Sequence, residues 1–262
     1  MYSVLNGLLG DRGGDRAFNC FGIWHWCYIV LALLAAVTIF FGFKSKGEGA
    51  RRGVLNVIAG IAFGLYIADF FLMPLAYGEI DIEKLPFHAC TSMCVMSFLS
   101  RHVRRLENYA VHFALLGLIS NLVYLIYPAG VMWYEVHPLS YRVIQTLLFH
   151  AVMTVYGVLT LAFEGERLKF KKCYRDVVII VALTVWAFIG NMLYSGAAGD
   201  YSREFNWFFL NQDPLGVFPE AIAPYIMPAL NVAVFFAAEM IIYSVCFCIR
   251  RLTVKRTSPK FA

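Results

Sequence analysis

LPFHACTSMCVMSFLS, Leu85–Ser100, is the third apolar stretch of the chain, and its reading sets the fold. It is short for a hydrocarbon core of about 30 Å. It also carries His88, Cys90, Thr91, Ser92 and Cys94. A helix that polar is poorly suited to lipid, so it is expected to be enclosed by other helices. Six further apolar stretches flank it: Cys20–Phe43 and Val54–Tyr77 before it, then Tyr109–Tyr127, Val143–Phe163, Val177–Tyr194 and Tyr225–Ile249. Each is about as long as a crossing requires, roughly 20 residues at about 1.5 Å per residue. With the third stretch counted, the expected fold is all-α: a polytopic membrane protein built as a seven-transmembrane-helix bundle.

Composition agrees. The 262 residues are 60% hydrophobic and 15% charged, with a mean hydropathy of +0.66. A water-soluble fold of this length needs far more polar surface. The expected division is an outside segment at 1–19, the bundle at 20–249 with a long outer loop at 195–224, and a basic tail at 250–262. The sequence pI of 8.8 does not signal a nucleic-acid partner, because the basic residues sit in short interhelical loops. Anionic headgroups explain them better.

Orientation follows from the basic residues. The loops after the first, third and fifth stretches, with the C-terminal tail, hold 17 of the 22 Lys and Arg. Only Arg12, Arg16, Lys84, Arg142 and Arg203 lie on the other side, where Glu79, Asp81, Glu83 and Glu135 gather. The positive-inside rule then puts the C-terminus in the cytoplasm and, with seven spans, the N-terminus outside. The first residues, MYSVLNGLLGDRGGDR, lack the n-region, h-region and cleavage site of a signal peptide and are expected to be retained. A bacterial cytoplasmic membrane is the expected location, with a eukaryotic internal membrane as the alternative.

Trp24, His25, Trp26 and Tyr28 open the first stretch and read as an outer aromatic belt. Gly60 and Gly64 form a small-xxx-small pair, which suggests close helix packing. None of the seven cysteines falls in an outside loop, which argues against a disulfide framework. The last outer loop contains FNWFFLNQDPLGVFP, a mix of aromatic and turn residues suited to a lid or a re-entrant segment.

Strongly polar groups inside spans cost a few kcal/mol each, so they usually face a cavity or a partner. Asp69, His88, Cys90, Asn121, His150, Asn191 and Asn231 all fall within roughly 5–12 Å of the outer boundary at about 1.5 Å per residue. Glu239 alone lies near the middle. Matched depth on six helices suggests one shared outer pocket. Plainer readings stand beside that one. The asparagines suit interhelical hydrogen bonds, Asp69 suits a pair with Arg142 or a backbone donor, and Glu239 suits a protonated, hydrogen-bonded carboxyl. His88 is placed to cap the third helix, and Cys94 suits packing. His150 is harder to dismiss, because LLFHAVM gives it no local polar partner.

Cys90 and Cys94 share one helix face, one turn apart. The spacing His88-x-Cys90-x3-Cys94 does not fit a compact zinc pattern, so no metal or other cofactor is expected. A Cys–His nucleophile pair needs only two groups, and Cys90 with His150 qualifies by depth and chemistry.

Three stretches carry a family resemblance. LPFHACTSMC (Leu85–Cys94), QTLLFHAVM (Gln145–Met153) and FNWFFLNQDPLG (Phe205–Gly216) resemble segments of the YwaF-like bacterial integral membrane family. That family is distantly similar to an animal seven-helix, cysteine-dependent lipid acyltransferase. More remotely, it is similar to membrane hydrolases of fatty-acid esters that use a Thr–His pair. The resemblance implies a phospholipid acyltransferase or acyl hydrolase acting on phospholipid or lysophospholipid, with Cys90 as nucleophile and His150 as its base. Asp69, Asn121 or Asn191 would orient His150 or donate to an oxyanion.

Two other classes use the same pocket without covalent chemistry: a small-solute transporter or permease, and a sensor or scaffold. A retinal pigment is set aside because the last stretch has no lysine, and a ceramidase-like zinc hydrolase because it has no histidine.

Overall fold

The computed structural model of the chain describes residues 10, 17–78, 80–132, 136–194, 206–211, 213 and 216–257. Most of the 1–19 segment expected outside, Glu79, Glu135, much of the 195–224 loop and the last five residues fall beyond the described residues. Seven principal helices carry the fold: α1 (Ile23–Phe43), α2 (Glu48–Tyr77), α3 (Ala89–His102), α4 (Ala110–Ile126), α5 (Tyr141–Glu164), α6 (Tyr174–Tyr194) and α7 (Ala223–Thr257). A single helical turn, Ala129–Met132, precedes α5. No strand occurs among the described residues. Six of the helical segments are long and apolar enough to cross a membrane, so the protein is an integral, multi-pass membrane protein.

The exception is α3. Its 14 residues span about 21 Å. Eight of the 14 are buried, including Thr91, Ser92, Ser97, Ser100 and Arg101, so its polar groups are shielded from lipid as its sequence predicts. The helix starts at Ala89 rather than Leu85 because Pro86 disfavours helical backbone at the residue before it. The Pro86 carbonyl instead accepts from Ser92 Oγ at 2.6 Å and Trp186 Nε1 at 2.7 Å.

The centre of the bundle is α4 against α5. About two-thirds of each apolar span is buried (61% and 67%), against 11% for both α1 and α7. Ser140 caps α5 by accepting from the Val143 N–H. Along α2 the residues Leu55, Ala59, Ala62, Tyr66, Asp69, Met73 and Ala76 are buried, at alternating spacings of four and three. That is the seam of a helix wound against its neighbours.

Gly60 and Gly64 lie off this seam. A Cβ built at either meets nothing within 4 Å, so the close packing read from their spacing is absent. Close approach occurs instead at Gly157 on α5, where a Cβ would stand 2.6 Å from Leu118 Cβ and 3.1 Å from the Ala114 carbonyl. The aromatic belt also needs correction. Trp24 and Trp26 are exposed, but His25 is fully buried. Its Nδ1 accepts from the Phe21 N–H at 2.9 Å, so Nε2 carries the proton and donates to the Leu125 carbonyl at 2.7 Å.

Candidate functional site

At the heart of the α4–α5 contact, His150 is buried with Nδ1 2.7 Å from Asn121 Oδ1. The Asn121 amide is oriented by its own donor, since Nδ2 gives a hydrogen bond to the Gly117 carbonyl at 2.7 Å. Oδ1 therefore faces the imidazole and can only accept, which assigns the ring proton to Nδ1. Nε2 keeps its lone pair and is the basic atom. Tyr124 holds the ring flat, stacked on it at 4.1 Å with an interplanar angle of 18°.

Cys90 is the second residue of α3, half-buried, in the turn where the helix dipole presents its positive end. It packs against a cluster of Ala62, Tyr66, Cys94, Phe149 and Met153, which includes the sequence neighbour of His150. Cys94 is a buried member of that cluster, as a packing role predicts. Lys84 lies within electrostatic reach of both Cys90 and His150, and His88 within reach of His150.

Asp69 is buried on the α2 seam. It accepts from Tyr141 Oη at 3.0 Å, and its second oxygen lies 3.4 Å from Lys84 Nζ. Its partner is thus Lys84 and not Arg142. Arg142 reaches toward Asp81 at 4.0 Å and covers the Tyr77 ring. Tyr66 donates to the Lys84 carbonyl at 3.1 Å, so Tyr66, Asp69 and Tyr141 hold this lysine over the end of the bundle that contains Cys90.

Asn191, Asn231 and His88 are spent on the loop between α6 and α7. Asn191 binds Trp207 reciprocally, accepting from its N–H at 2.8 Å and donating to its carbonyl at 3.2 Å. Asn231 donates to the Phe208 carbonyl at 2.7 Å. His88 occupies the N-cap position of α3 without capping it; its Nδ1 accepts from the Phe208 N–H at 3.3 Å. Phe208 and Phe209 both have left-handed backbone, at φ 57° and 53°, which costs about 1–3 kcal/mol per residue unless the surroundings enforce it. These three side chains, with Trp207 and Phe208 buried among Phe87, Phe113 and Leu116, supply that enforcement.

Glu239 is fully buried, and neither carboxyl oxygen has a hydrogen-bond partner. Near it stands a cluster that sequence reasoning missed. His112 Nδ1 lies 2.7 Å from Asp176 Oδ1, and Tyr243 Oη donates to Asp176 Oδ2 at 2.6 Å. The available signal was a histidine just inside the fourth stretch and an aspartate directly before the sixth, at the same end of the bundle. Also missed was Arg101, which reaches from α3 to Tyr156, Thr160 and Glu164 on one face of α5. Among the described residues no three His, Cys, Asp or Glu side chains converge as metal ligands.

Comparison with known proteins bears on this arrangement. The chain matches the TMEM164 family over residues 20–250, which takes in α1 to α6, α7 as far as residue 250 and every site residue above, and it belongs to that family. No curated protein and no solved structure matches it.

Proposed function

We propose that this TMEM164 family member performs acyl chemistry on membrane lipids, as a phospholipid acyltransferase or acyl hydrolase, with Cys90 as nucleophile and His150 as general base. The observation that carries the reading is the fixed tautomer of His150. A base must present an unprotonated nitrogen, and the Asn121 acceptor leaves Nε2 in that state. The three stretches that resemble the YwaF-like family, and through it the cysteine-dependent acyltransferase, all fall within the matched region.

In the proposed sequence Nε2 takes the Cys90 thiol proton, and the thiolate sulfur bonds to an ester carbonyl carbon of a phospholipid. Collapse of the tetrahedral intermediate breaks the C–O bond. The departing lysolipid oxygen takes the proton back from His150, leaving an acyl-thioester. A lysolipid hydroxyl or water then gives its proton to Nε2 and attacks the thioester, and the freed sulfur is reprotonated. Burial in apolar surroundings opposes thiolate formation. The first turn of α3 and the Lys84 ammonium act against that penalty without cancelling it. The clamped aromatic loop would keep water from the thioester.

The proposal includes seven crossings with the N-terminus outside. Arg52, near the start of α2, meets Glu107, beyond the end of α3, at 2.7 Å. That contact supports α3 returning the chain along the length of α2. The skewed distribution of Lys and Arg supports the orientation. A second reading, transport of a small solute, draws support from the unpartnered Glu239, since buried ionisable groups mark ion and proton paths.

The test is labelling with an acyl-donating lipid probe in wild type, Cys90→Ala and His150→Ala. Label should vanish in Cys90→Ala and form about 10²–10⁴-fold more slowly in His150→Ala. Equal labelling of all three removes the reading. Cys90→Ser separates the two classes, because it abolishes acyl transfer and leaves transport intact.

A further inference from the structure

At the end of the bundle opposite Cys90, a cleft of about 530 Å³ opens between the α3–α4 and α5–α6 connections. Arg167, Lys169, Lys172 and Arg175 line it, with Glu107 and Glu166 as the acidic members. The charges do not cancel. Glu107 is paired with Arg52 at 2.7 Å, and Arg167 with Glu48 at 3.2 Å. Arg175 donates to the Asn108 carbonyl at 3.0 Å and covers the Tyr109 ring, while its Nε is buried without a partner. Among the described residues neither Lys169 nor Lys172 makes an ion pair. Positive charge is therefore left over inside a concave space.

Two helix starts reinforce it. The helix α4 begins at Ala110, directly after Asn108 and Tyr109, and α6 begins at Tyr174, directly after Lys172 and Cys173. Helix N-termini present positive dipole ends, which suit phosphate, although the Ala110 N–H is already given to the Glu107 carbonyl and the Asp176 N–H to the Cys173 carbonyl. A hollow of this size exceeds what a lone side-chain carboxylate needs. Its face is the one whose loops carry the excess of Lys and Arg, where anionic headgroups would meet it.

We propose that this cleft binds an anionic phosphoryl group, presented by a phosphomonoester lipid headgroup or as free phosphate. The site is independent of the Cys90–His150 reading. It uses none of those residues and sits at the other end of the helices.

The experiment uses the full chain in phosphatidylcholine nanodiscs. One arm titrates inorganic phosphate; the other adds phosphatidic acid and measures retention by native mass spectrometry. Lys169→Gln/Lys172→Gln removes the two unpaired cations. Lys44→Gln/Lys46→Gln removes two exposed cations from the α1–α2 loop at the same end. The first pair should lower affinity about 10- to 30-fold, the size expected of two interfacial cations. The second should leave affinity within about twofold. Binding of both probes means the phosphoryl group suffices; binding of phosphatidic acid alone assigns the lipid as its source. Either result upholds the site. Binding of neither probe, or equal losses in the two pairs, overturns it.

Discussion

Asn121 and His150 form a buried 2.7 Å hydrogen bond across the α4–α5 interface in which the amide, itself tied to Gly117, dictates which imidazole nitrogen is protonated. Neither residue can change its hydrogen-bonding role without the other. Replacing Asn121 by Leu strands the Nδ1–H in an apolar interior. The expected cost is about 1–3 kcal/mol of stability. On the proposed chemistry, lipid-probe turnover should fall while alkylation of Cys90 by a small thiol reagent persists. Unchanged turnover in a folded Asn121→Leu protein would separate this hydrogen bond from function.

Gly157 and Gly60 should respond oppositely to the same substitution. Gly157→Ala drives a methyl against Leu118 and the Ala114 carbonyl, and overpacking of that kind costs about 1–3 kcal/mol. Gly60→Ala meets open space and removes a helix-weakening glycine, so it should be neutral or stabilising by up to about 1 kcal/mol. Thermal unfolding of the two variants in one detergent gives the comparison, and equal effects would contradict the packing described.

The Arg101 contacts to α5 behave as a unit. Glu164 Oε1 accepts from Arg101 at 2.6 Å with both side chains largely buried. Loss of one partner leaves an uncompensated charge, so Arg101→Leu should cost about 3–5 kcal/mol. Adding Glu164→Leu should return part of that loss. Additive losses in the double-mutant cycle would mean that the two groups are not coupled.

Asn191→Leu removes both hydrogen bonds to Trp207 without touching Cys90 or His150. Hydrogen exchange across 206–211 should accelerate sharply, while the centre of the α4–α5 interface keeps its protection. Exchange rising equally in both places would mean global destabilisation instead of release of the loop.

The six long apolar helices were legible because about 20 consecutive apolar residues form a pattern that no local detail obscures. His150 was legible too, as a polar residue without a neighbour to satisfy it. What failed shared one cause: partners supplied from distant parts of the chain. His25 reads as a belt residue until the Leu125 carbonyl, 100 positions away, is seen to accept its proton. Asp69 sits within reach of several cations in sequence terms, and only the fold selects Lys84. The glycine pair on α2 misled because spacing alone does not say which face of a helix is covered. Matched depth on six helices suggested one pocket, yet Asn191 and Asn231 anchor loop backbone instead.

The Trp207–Phe209 turn has a consequence for biogenesis. Its left-handed phenylalanines are held by residues before α3, on α6 and on α7, so the fastening is complete only when the final span is in place. During synthesis this end of the helix bundle therefore stays unlatched until the ribosome has delivered Asn231.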